Sequence, residues 1–167
     1  HRRGRGADSP LGARGWRLAL GSLLRRGAIK RLLQSSELLA LPKFDPAMLT
    51  KMILDIVGRY AADVPVPPGS MYIRPTHIGT EASIGKAAAP SLESMLYVLL
   101  SPVGDYFAGG AKPLRLLLED SARCAPHMGM VKSGGNYASA LQPIMKARAS
   151  VQADQVLFCP NGDVQET

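Results

Sequence analysis

Apolar residues recur at Leu49, Met52, Ile53, Ile56, Val57 and Tyr60, the three-and-four spacing of a helix that buries one face. Asp45-Pro46 precedes them as a capping carboxylate and a first-turn proline. An earlier helix is predicted from Ala28 to Leu41, ended by Pro42, which has no N–H for the helix ladder. The proline-rich run Asp63 to Gly69 breaks the second helix, and the period then changes to two. Met71-Tyr72-Ile73-Arg74-Pro75 reads as a short strand with Tyr72 and Arg74 on one face. Ser94 to Leu100 is almost continuously apolar and predicts a strand buried on both faces. The glycines of Pro102 to Gly110 mark a linker, and Leu114 to Leu118 reads as the next strand. Asn136 to Gln152 is predicted helical, capped by Asn136 and bent by Pro143 or beginning near it. Pro160-Asn161-Gly162 joins Gln155–Cys159 to Asp163–Thr167 as a hairpin.

Helices interleaved with short strands indicate an α/β chain. Of 167 residues, 46% are apolar, as a globular core requires. The net charge of +7 would suggest a nucleic-acid partner if it were spread over the surface. It is not: residues 1–31 hold nine Arg/Lys against Asp8, and the rest has eleven bases against twelve acids. The basicity belongs to an Arg/Gly-rich tail, residues 1–27, too polar to order itself and similar in composition to an organelle transit peptide. Cys124 and Cys159 have neither the spacing of a zinc site nor that of a disulfide framework, so the expected home is reducing and intracellular. No apolar run approaches membrane-spanning length, and no metal site is expected. His77 and His127 have no partner spacing and read as incidental.

The chemistry concentrates at Val131-Lys132-Ser133-Gly134-Gly135-Asn136-Tyr137. Glycines allow close backbone approach, and a lysine amine set before a helix N-terminus suits an anionic carbonyl cofactor. Three further segments accompany it: Tyr72-Ile73-Arg74-Pro75-Thr76 running to Gly85, Leu99-Leu100-Ser101-Pro102-Val103-Gly104 with Tyr106-Phe107, and Gln155-Val156-Leu157-Phe158 with Gln165-Glu166-Thr167. In this order they resemble the branched-chain amino acid aminotransferases, fold-type IV enzymes dependent on pyridoxal 5′-phosphate, over roughly residues 28–167.

The resemblance implies a role for each matching residue. Lys132 would hold the cofactor covalently and carry the substrate's proton, and Tyr137 would hydrogen-bond the cofactor's phenolic oxygen. Glu166 would face the pyridine nitrogen, and Arg31 the phosphate. Tyr72, Arg74 and Tyr106 would line the substrate pocket, with Arg74 meeting the distal carboxylate of glutamate. The implied reaction is amino transfer between leucine, isoleucine or valine and 2-oxoglutarate, in a homodimer with no nucleic acid or membrane partner. The implied plan is an α/β small domain over 28–107, a linker over 108–113 and the start of the cofactor domain over 114–167. The family has further sheet before and loops after these segments, so the chain reads as a fragment, with poor stability and no turnover of its own. The Arg-rich N-terminus makes a mitochondrion or plastid one expected home within the cell, and the cytoplasm is the other. The alternatives are a sister enzyme, a D-amino acid aminotransferase or an aminodeoxychorismate lyase, against which Tyr72-Ile73-Arg74-Pro75 argues. An inactive fragment with a basic interaction tail is the other, and its binding would fall steeply with salt.

Overall fold

The computed structural model describes residues 27–83, 89–104 and 113–167. The chain divides between Ala108 and Gly109 into two compact units, both mixed α/β.

The first unit holds helices α1 (Ile29–Leu38) and α2 (Pro46–Arg59) and strands β1 (Ser70–Gly79) and β2 (Ser94–Val103). Helix α2 begins as its sequence dictates, with Asp45 Oδ1 accepting from Ala47 N at 2.8 Å and Pro46 in the first turn. Its apolar stripe is buried at Leu49 and Ile53, which meet Ile29 in a core that Leu32, Phe44, Val57, Ile73, Leu96 and Val98 complete. Helix α1 stops three residues short of Leu41. Ala40 takes a left-handed φ of 51°, Ala40 N donates to Glu37 O, and Leu41 N reaches back to Ser36 O, both at 2.9 Å. These two bonds close the helix end in the manner usually built on glycine, so Pro42 follows a helix already ended.

Strands β1 and β2 pair antiparallel in full register from Ser70↔Val103 to Gly79↔Ser94. β1 is therefore twice as long as its five-residue apolar alternation suggests. The expected double burial of Ser94–Leu100 does not occur among the described residues. Leu96 and Val98 pack on the helices, whereas Met95 and Leu99 face outward, Leu99 being 52% exposed. A two-stranded sheet with helices on one face has one face to cover, so an apolar run can outnumber its buried positions.

His77, read from sequence as incidental, ties β1 to the helices. Its Nδ1 shares a 2.8 Å hydrogen bond with Ser36 Oγ, and Phe44 meets the ring edge-on at 5.1 Å. Burial holds its pKa below the ordinary 6.5. The unfolded chain therefore takes up the proton first as pH falls. The first unit should lose stability as pH drops below 6.5 and level off once the folded imidazole also titrates. Denaturant midpoints across that window should slope for the native chain and flatten for His77→Gln; equal slopes would remove His77 as the cause.

The second unit is a strand–helix–strand crossover: β3 (Leu116–Glu119), α3 (Gly134–Val151) and β4 (Gln155–Phe158), with β3 and β4 parallel. Ala140 and Ala147 let α3 approach the strands closely, and with Ala153, Val156 and Phe158 they form the core, joined by Leu117 and Ile144. Pro143 lies inside α3. The Asn161-Gly162 pair adopts the positive φ values, 55° and 84°, that its composition predicts. The expected hairpin shrinks to one bridge, in which Phe158 N donates to Glu166 O at 2.9 Å and Gln165 N to Phe158 O at 3.0 Å. A short helical turn at Pro160–Gly162, whose Asn161 N donates to Asp120 Oδ1, stands where the hairpin turn was expected, and of the expected second strand Glu166 alone forms a bridge among the described residues.

Candidate active site

In a crossover unit, α3 starts where β3 ends, so the loop between them and the segment after β4 share the carboxyl end of the parallel strands. Open α/β sheets place ligands at that end. The loop runs from Asp120 to Ser133 and holds Arg123 and Lys132; the segment after β4 brings Glu166.

The first turn of α3 fixes the loop. The α3 cap is Ser133, not Asn136 as the sequence suggested, and Ser133 makes no capping side-chain bond. Asn136 lies buried in that first turn and turns its amide away from the helix. Nδ2 donates to Met128 O and Val131 O, each at 2.8 Å. Both hydrogens of the amide are thereby spent on the backbone just before Lys132. One turn on, Ser139 Oγ donates to Arg123 O, tying down the loop's other end.

Lys132 sits directly before the α3 cap, exposed, with Nζ 4.8 Å from the centroid of the Tyr137 ring and donating to Tyr137 Oη. The opposite member of the group is Glu166, whose Oε2 accepts from Arg123 Nη1 at 2.6 Å. The Arg123 guanidinium also lies 5.0 Å from the Tyr137 ring centroid. An amine, a phenol and a carboxylate thus converge around one buried arginine. The sequence motifs contain the first three, whereas Arg123 belongs to none of them, and only its contacts reveal it.

In the first unit, Tyr72 and Arg74 share the outer face of β1, as the alternation predicts, with the Arg74 guanidinium 5.2 Å from the Tyr72 ring centroid. Their cross-strand neighbours are Ser101 and Leu99, so a cation, a phenol and an exposed leucine lie side by side. Arg31 is exposed on α1. Tyr106 lies outside the described residues, as do the basic tail through residue 26 and all but Pro113 of the expected linker. Cys124 and Cys159 are both free thiols. No group of three or more His, Cys, Asp or Glu side chains among the described residues could hold a metal, and no described helix is long and apolar enough to cross a membrane.

Relatives of this chain bear the name of one class of enzyme, the aminotransferases. No family model matches the chain. It is 40% identical over 121 residues to the mitochondrial branched-chain-amino-acid aminotransferase of Schizosaccharomyces pombe, covering 71% of this chain and 28% of that one. It is 38% identical over 142 residues to the cytosolic enzyme of Saccharomyces cerevisiae, with 83% and 37% covered. A further relative is branched-chain-amino-acid transaminase 1 of Bacillus subtilis, 38% identical over 134 residues. Over the part it covers, the chain is a relative of the branched-chain-amino-acid aminotransferases, and it spans about a third of their length.

Proposed function

We propose that this chain carries the lysine end of a fold-type IV, pyridoxal-phosphate-dependent branched-chain aminotransferase site, and that the whole protein transfers the amino group between leucine, isoleucine or valine and 2-oxoglutarate. The observation that carries this reading is the convergence of Lys132, Tyr137 and Glu166 at the carboxyl end of β3 and β4 in a chain related to those enzymes.

The donor set suits the cofactor chemically. Lys132 Nζ binds a carbonyl carbon and takes the α-proton of an amino acid. Tyr137 Oη, hydrogen-bonded to that amine, orients it and serves a phenolic ring oxygen. Glu166 holds the proton on the ring nitrogen. Pyridoxal phosphate, when bound, supplies the electron sink that makes loss of the α-proton feasible. For the phosphate we assign Arg31, and for substrate the Tyr72–Arg74–Leu99 face, where a guanidinium meets a carboxylate and leucine meets a branched chain. Tyr106 joins that substrate set by motif. Relatives with mitochondrial and cytosolic names are consistent with an intracellular home.

The test is to add pyridoxal phosphate to the chain, reduce with borohydride and map the modified peptide. One modified lysine, Lys132, is the expected result, with the visible band altered by leucine, isoleucine or valine and not by D-alanine. A band answering D-alanine instead would favour the sister enzymes. Modification scattered over Lys30, Lys43, Lys51 and Lys146 would remove the reading.

A further inference from the structure

Arg123 is the one buried charged side chain among the described residues, at 7% exposure. Burying a guanidinium is costly, and its ion pair often stabilises no more than an apolar side chain of the same volume would. Its bonding is also incomplete: Nη1 holds Glu166, but Nε is buried without a partner. Glu166, by contrast, is 57% exposed at its side chain and would be hydrated without the arginine. Stability of the fold therefore does not explain the pair. Geometry does, because one rigid guanidinium touches both Tyr137 and Glu166 and so fixes the spacing between the phenol end and the carboxylate end of the group. It occupies Glu166 Oε2 and leaves Oε1 without a hydrogen bond among the described residues.

We propose that Arg123 is a positioning residue: it holds the Glu166 carboxylate by one oxygen so that the other meets the ring nitrogen of pyridoxal phosphate, and it keeps Tyr137 at the opposite end of that ring. The proposal rests on the cofactor reading above. Arg123 touches no reacting atom and acts through Glu166 and Tyr137.

The test is a double-mutant cycle on the full chain with Arg123→Met, Glu166→Gln and both, reading the unfolding midpoint, the pyridoxal phosphate Kd and the visible band of the bound cofactor. Arg123→Met preserves volume and leaves behind only a carboxylate that water can reach, so the fold should survive with its midpoint little changed. Each single substitution should raise Kd about tenfold, the cost of one charge-assisted hydrogen bond, and shift the band alike. The double variant should bind no more weakly than the weaker single. Full additivity, near a hundredfold, or an unchanged Kd in Arg123→Met would overturn the proposal. If Arg123→Met unfolds, Arg123→Lys keeps the charge without the fork and should fold yet still bind weakly; unfolding of both would make Arg123 structural and overturn it. If the native chain binds at no lysine, or not at Lys132, the cofactor reading falls first and takes this one with it, a result distinct from normal binding in the native chain with no coupling to Glu166.

Discussion

Lys132→Ala should abolish covalent attachment of pyridoxal phosphate while leaving the fold as it was. The two effects separate because Lys132 is exposed, and truncating an exposed side chain ordinarily changes stability by less than about 0.5 kcal/mol. What is lost is an amine that hydrogen-bonds Tyr137 Oη at a loop pinned by Asn136. Lys132→Arg should fail equally. A guanidinium keeps the charge over the Tyr137 ring but is always protonated and cannot attack a carbonyl. The measurement is the yield of borohydride-fixed cofactor on the peptide containing position 132, beside the unfolding midpoint of each variant. Yield at background in both variants with an unchanged midpoint is the expected outcome. Attachment that persists at another lysine with native affinity would show that the loop does not select its amine.

The period-two alternation around Tyr72 and Arg74 was legible because a strand has only two faces, and Ile73 can take only the inner one. The Asp45-Pro46 cap was legible because its carboxylate is satisfied two residues on, and the positive φ of Asn161 and Gly162 because those residue types favour it by themselves. What could not be read depends on where distant segments meet. Leu99 is as apolar as Val98, and only the absence of a second layer on the described sheet leaves it exposed. The Arg123–Glu166 pair spans 43 residues, and it requires both the Phe158–Glu166 bridge and the bond from Ser139 to Arg123. No local pattern encodes either. Ala40 is a milder case: alanine does not announce a left-handed position, so the proline two residues later looked like the helix stop.

Asn136 illustrates how far a correct motif can mislead about mechanism, and it carries the largest expected loss of stability. Its composition suggests a cap, whose replacement costs about 1 kcal/mol. Its position, 8% exposed with both amide hydrogens given to Met128 O and Val131 O, predicts a different pattern. Asn136→Ala should cost only about 1–2 kcal/mol, because neither carbonyl is orphaned: Met128 O still accepts from Val131 N, and Val131 O from Ser133 N. Asn136→Asp has the same shape but points a buried carboxylate at two carbonyl oxygens, leaving an uncompensated charge worth about 3–5 kcal/mol. That is comparable with the whole stability of a small domain, so the second unit should lose its fold at neutral pH. The new carboxyl favours its neutral form in the fold, where it can donate to one carbonyl, so its folded pKa lies above the unfolded value near ~4. Stability should accordingly be retained below that value and lost as pH rises through the folded pKa. Hydrogen exchange of the α3 amides at acid and neutral pH would read this directly. Protection in Asn136→Asp that matches Asn136→Ala at both pH values would mean that the amide is not what holds the lysine loop.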